Sequence, residues 1–141
     1  MKKYILIMTA LLGVISLIGF TGVADTYFGA NFMKLKDAER KWGSLTLNGE
    51  QFKASDLSKR APMAVDILKR SLYVGKSRKI VRQELGDPDS YFFSDTIYAY
   101  KIMPFPGENK EIWHLVFIPD ENLEKVKEVK IHKKCCYKLP L

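Results

Sequence analysis

His132, Cys135 and Cys136 bring one imidazole and two thiols together near the end of the chain, a soft ligand set of the kind that holds zinc or copper. A fourth ligand is missing and adjacent cysteines chelate poorly, so no metal and no cofactor is expected. Neighbouring Cα atoms lie ~3.8 Å apart, short of the usual disulfide span. In an oxidising compartment Cys135 and Cys136 therefore form a strained vicinal disulfide or bridge to another chain, a redox-labile tail without catalytic duty. His114 stands alone on a strand; a general base needs a partner and an orienting group, and no nucleophile is spaced to meet it, so it reads as a packing histidine. The carboxylate pairs Asp87/Asp89 and Asp120/Glu121 sit in turn sequences, and turn formation accounts for them. No glycine-rich phosphate loop, dinucleotide fingerprint or nucleophile elbow is present. Neither an enzyme nor a small-molecule substrate is expected.

Two groups of residues suit binding. Tyr91, Phe92 and Phe93 are three large rings in a row, too many to point into one small core. Either some are exposed and mark a protein contact, or they pack beneath a loop at 103–110. Lys125, Lys127, Lys130, Lys133 and Lys134 offer charge to an anionic lipid or polymer surface, or form a solvated lysine face that protects an edge strand.

The chain has 141 residues, 23 Lys plus Arg against 16 Asp plus Glu, a net charge of +7, 47% hydrophobic residues and two cysteines. These bound it to one small domain plus a targeting segment and exclude a disordered, collagen-like or disulfide-stapled protein. Lys2 and Lys3 precede an uncharged, largely apolar run from Tyr4 to Ala24, an export signal. Gly22-Val23-Ala24 has small residues where a signal peptidase cuts, while the length also suits an uncleaved anchor. Both outcomes place the rest of the chain outside the cytoplasm, in the periplasm or on the periplasmic face of a membrane, because the lysines stay inside. Nucleic acid is therefore not an expected partner. Without residues 1–24 the charge is +5, and +4 of it falls from Leu123 onward.

Past a lead-in at 25–31, Phe32, Leu35, Ala38 and Trp42 have helical spacing. Leu45-Thr46-Leu47-Asn48-Gly49 reads as a strand entering an Asn-Gly turn, with Phe52 on the return arm. Pro62 suits the first turn of a helix through Met63, Ala64, Ile67, Leu68 and Leu72, with Asp66, Lys69 and Arg70 facing away. Gly75 ends it. Ser77 caps the next helix, Ile80, Val81 and Leu85 form its buried face, and Gly86 and Pro88 stop it. The period then changes to two over 96–102, 111–118 and 126–132, an antiparallel meander. Its middle strand is apolar on both faces and needs cover on both. The helices cover one. The other is left to the segment 25–57, to Tyr137 and Leu139, or to another molecule. The expected division is 1–24 signal or anchor, 25–60 extension, 61–134 α+β domain and 135–141 tail.

Leu72-x-x-Gly75-x-Ser77-x-x-x-Val81-x-x-x-Leu85-Gly86-x-Pro88, then Tyr98-x-Tyr100 and Leu115-Val116-Phe117 before Asp120, resembles the SmpA/OmlA, or BamE-like, domain of small bacterial envelope proteins over Met63 to His132. The resemblance implies an ααβββ sandwich, two short helices on one face of a three-stranded sheet. It also implies a non-catalytic role in outer-membrane protein assembly or envelope integrity, with another envelope protein as partner. Inhibitor proteins of β-lactamases look like doubled versions of this fold. The chain departs from the family in lacking a lipid-modification cysteine near its start, in its longer N-terminal stretch, and in its basic last strand and Cys-Cys tail. Gly75, Ser77, Val81, Leu85, Gly86 and Pro88 are matched as fold-defining positions.

Overall fold

The computed structural model describes residues 32–54, 57–102 and 112–134. The expected export segment, the lead-in, the 103–110 loop, Cys135, Cys136, Tyr137 and Leu139 lie outside the described residues. Within them the order is β1 (Phe32–Met33), α1 (Leu35–Trp42), α2 (Gly49–Lys53), α3 (Leu57–Arg70), α4 (Arg78–Leu85), β2 (Ser90–Phe92), β3 (Ser94–Lys101), β4 (Ile112–Pro119) and β5 (Val126–Lys134). The fold is α+β. One antiparallel sheet runs β1-β5-β4-β3-β2, so the expected meander forms its centre and two very short strands flank it. In the meander Tyr100 pairs with Leu115, and Leu115 with Ile131.

Strand alternation gives β4 two apolar faces. Trp113, Leu115 and Phe117 join Tyr100 and Ile131 in a core to which all four helices contribute, through Ala38, Phe52, Ile67, Val81 and Leu85 among others. Aromatic pairs fix this layer edge-on: Trp42 of α1 meets Trp113 at 5.4 Å, Phe52 of α2 meets Tyr100 at 5.7 Å, and Tyr73, after α3, meets Phe117 at 5.6 Å. Each such pair stabilises by about 0.5–1.5 kcal/mol beyond its burial. Burial also raises the Tyr73 and Tyr100 phenols well above their ordinary value. Both stay protonated and donate, Tyr73 to Glu84 at 2.7 Å and Tyr100 to the Gly86 carbonyl at 2.8 Å.

The segment before α3 differs from expectation. Asn48-Gly49 starts a helix rather than turning a hairpin: the Asn48 side chain accepts the Gln51 N–H at 3.1 Å as an N-cap, and residues 43–48 form no strand. Their backbone is instead pinned to α3, Leu45 N–H to the Pro62 carbonyl at 3.0 Å and Leu47 N–H to Asp66 at 2.8 Å. Gly49 approaches α4 so closely that a Cβ there would lie 2.5 Å from the Glu84 carbonyl oxygen. Pro62 lies inside α3, which begins at Leu57. The expected boundary at 60/61 falls within α3, and Ala38 and Phe52 share a core with Met63, so 32–54 belongs to the domain. Phe32 is on β1 rather than in α1.

Asp66 does not face away. It is 7% exposed and accepts from Arg70 of its own helix at 2.8 Å as well as from Leu47. The Arg70 hydrogen bond holds its carboxyl below the ordinary value against the opposing effect of burial. The stability this contributes is present above the unfolded carboxylate pKa and is lost as pH falls through the lower folded one. Asp66→Asn is therefore expected to destabilise the domain near neutrality and to flatten the acid limb of its stability curve below about pH 4, as read by denaturant melts across pH.

The matched motif forms the junction between helices and sheet. Gly75 (φ 80°) follows α3; its N–H donates to the Val126 carbonyl at 2.8 Å, and Val126 donates back to Lys76 at 2.9 Å. Ser77 accepts the Lys79 N–H as the cap of α4. Val81 and Leu85 are buried, and Gly86 (φ 84°) ends the helix just before Pro88. Both glycines occupy the left-handed region, where a Cβ costs about 1–2 kcal/mol.

Candidate functional site

The second sheet face carries Phe92, Ala99 and Val116, with Phe32, Ile97 and Ile118 packed against them. None of these comes from a helix. At the rim of this face the turn from β2 to β3 is very tight: Phe92 pairs with Ser94, leaving Phe93 alone at the corner with φ 57°. A non-glycine residue held there stores about 1–3 kcal/mol of backbone strain. The surroundings that hold it are visible. The Tyr91 hydroxyl donates to the Phe93 carbonyl, and the Phe92 ring meets the Phe93 ring at 4.7 Å.

The three expected contact rings therefore separate. Tyr91 and Phe93 are each 55% exposed, whereas Phe92 is 4% exposed and sits in the second-face cluster. Phe92 is not available as a contact residue, because strand alternation turns it away from Tyr91 and into the second-face cluster. Beside Tyr91 a shallow cleft of about 290 Å³ is lined by Arg82, Asp87, Pro88, Ser94 and Tyr98 among others. Its floor is tied by Arg82, which donates to Asp87 at 2.9 Å, and by Tyr98, whose ring lies 4.2 Å from the Arg78 guanidinium and 5.9 Å from that of Arg82.

Inward from the corner lie two histidines that the topology makes neighbours. His114 and His132 are cross-strand partners on β4 and β5, with rings 6.3 Å apart. Ser90 Oγ lies 2.9 Å from His114 Nε2, a hydroxyl–imidazole pair that spacing along the chain gave no means of finding. His114 is 1% exposed, so the imidazole of this pair is shielded from solvent. His132 is flanked by Phe92 at 4.6 Å and Phe32 at 5.5 Å, and burial pushes its imidazole below the ordinary value.

The lysines do not make one face. Lys130 Nζ lies 4.6 Å from the Phe32 ring on the second face and 3.1 Å from Glu128; Lys133 Nζ lies 5.5 Å from Trp113 on the helix face. Lys125 is exposed in the β4–β5 turn, bridged to Ser77, and Lys127 is exposed on β5. The Lys134 side chain lies outside the described residues. Among the turn carboxylates, Asp120 accepts the N–H groups of Glu124 and Lys125 at 2.9 and 3.1 Å. Asp87 holds Arg82, and Asp89 holds the buried Arg60 and accepts the Lys101 N–H at 2.8 Å. Asp87 and Asp89 thus do more than form a turn. Among the described residues no three His, Cys, Asp or Glu side chains are grouped to hold a metal, and no helix is long and apolar enough to cross a membrane. No protein-family model, curated protein or solved structure matches the chain.

Proposed function

We propose that this protein is a non-catalytic adaptor of the bacterial cell envelope. In this account it is exported by its N-terminal segment, carries a BamE-like domain, and holds another envelope protein through the corner formed by Tyr91 and Phe93, in outer-membrane protein assembly or envelope integrity. The observation that carries the proposal is the exposure of these two rings at a corner of fixed backbone. An aromatic side chain already held in place loses little entropy on binding, and a few anchoring side chains, tyrosine prominent among them, dominate the energy of protein interfaces. The helices packed on a single sheet face and the Gly75-to-Pro88 stretch at the helix–sheet junction are what the BamE-like reading leans on; α1, α2 and the outer strands β1 and β2 go beyond the two helices and three strands it implies.

The basic last strand supports an anionic lipid or polymer partner less well, since alternation splits Lys130 and Lys133 between opposite faces. The test is recovery of the full-length chain and its Tyr91→Ser/Phe93→Ser variant from native envelopes after crosslinking, with the N-terminus and companions read by mass spectrometry. The expected result is a companion present with the parent chain and lost with the variant, although both melt alike. Equal companions for both chains would remove the corner from the mechanism, and recovery from the cytosol alone would remove the envelope.

A further inference from the structure

Both outer strands of the sheet are tied to it by little backbone. β1 pairs with β5 only at Phe32↔His132 and Met33↔Ile131, and β2 pairs with β3 only at Ser90↔Ala99 and Phe92↔Ser94, across an irregularity. Ladders this short need side-chain packing to persist. In both cases it is the same ring: Phe32 of β1 and Phe92 of β2 both rest on His132, at 5.5 and 4.6 Å, and are themselves 6.0 Å apart. One imidazole thus joins two strands from opposite edges across the second sheet face.

We infer that His132 is a proton-operated latch which, when neutral, holds β1 and β2 on that face and, when protonated, releases them. The groups around it oppose a positive charge. β5 adds Lys130, ion-paired with Glu128 at 3.1 Å and with its ammonium 4.6 Å from the Phe32 ring; β4 adds His114; β1 and β2 add Phe32 and Phe92, with the Ser90 hydroxyl turned to His114. No carboxylate among the described residues is paired with His132, and its Nδ1 is buried without a hydrogen-bond partner. Consistent with this, burial holds the imidazole below its ordinary value. By linkage the latch is closed above the unfolded imidazole pKa and opens as pH falls from there through the lower folded value. The latch belongs to the fold and does not depend on the adaptor role. If both hold, acid conditions loosen the strand that leads into the Tyr91–Phe93 corner.

The test is hydrogen exchange on the full chain at about pH 7.5 and about pH 5, corrected for intrinsic exchange, with the His132 ring followed by NMR. Amides of 32–33 and 91–92 are expected to lose protection by about threefold or more at the lower pH, in step with the His132 titration, while β4 amides keep theirs. His132→Phe keeps an aromatic ring but no proton site and should abolish the response. Constant edge protection in the parent chain while His132 titrates would overturn the latch. So would an undiminished response in His132→Phe, or one abolished by His114→Gln instead.

Discussion

Asp89→Ala is expected to lower stability by about 3–5 kcal/mol, more than the loss of its partner Arg60. The asymmetry follows from burial. The Arg60 side chain is 6% exposed and that of Asp89 39%. Removing Asp89 strands a guanidinium in the interior, still bonded to the Phe52 carbonyl at 2.7 Å and lying 4.9 Å from the Phe52 ring, but without its counter-charge. Removing Arg60 leaves a carboxylate that water reaches, and Arg60→Met fills most of the volume, so about 1–3 kcal/mol is expected there. Asp89 also accepts the Lys101 N–H at the end of β3, so its loss loosens both α3 and the sheet. Denaturant melts of the two variants at neutral pH check the order; Arg60→Met being the worse of the two would mean that the pair is far less buried than described.

Phe117→Ala is the second large effect, about 3–5 kcal/mol of lost stability. The ring is 1% exposed, meets Tyr73 at 5.6 Å and Tyr100 at 5.7 Å, and its removal leaves a cavity at the centre of the helix–sheet layer. Phe93→Gly makes the informative contrast. It relieves a positive φ that glycine adopts freely but loses the ring contact with Phe92 and adds chain entropy to the unfolded state; these oppose each other, so stability is expected to stay within about 0.5 kcal/mol of the parent while partner capture is lost. One aromatic lies in the centre of the core and the other is half exposed at the corner, and calorimetry together with pull-down separates the two roles. Stability falling equally in both variants would make Phe93 a packing residue.

The elements that could be read from the sequence are those whose signal is local and repeated. The apolar residues on both faces of β4, the Ser77 cap and the Gly86–Pro88 stop each act within a turn or a strand, and each appears where expected. Asn48-Gly49 misled because asparagine before glycine serves a hairpin turn and a helix N-cap equally well; the choice is made by Asp66 and Pro62, which pin the preceding backbone from α3. Asp66 looked outward by helical spacing because the segment that buries it comes from elsewhere in the chain. β1 and β2 are too short for a period. The meeting of Phe32, Phe92 and His132 is set by strand order, which no residue announces. At the candidate site, three adjacent rings required some exposure, but which two are exposed depends on Phe93 standing alone at the corner. The strand lysines read as one group along the chain and are divided by alternation.

The corner is tested most directly by a photoreactive phenylalanine analogue placed at Phe93 in the full-length protein and irradiated in the native cell envelope, with the same analogue at the exposed Lys36 of α1 as control. A discrete crosslinked partner from position 93 and none from position 36 is the predicted result. No adduct at 93, or the same adducts from both positions, would contradict a protein-binding role for the Tyr91–Phe93 corner.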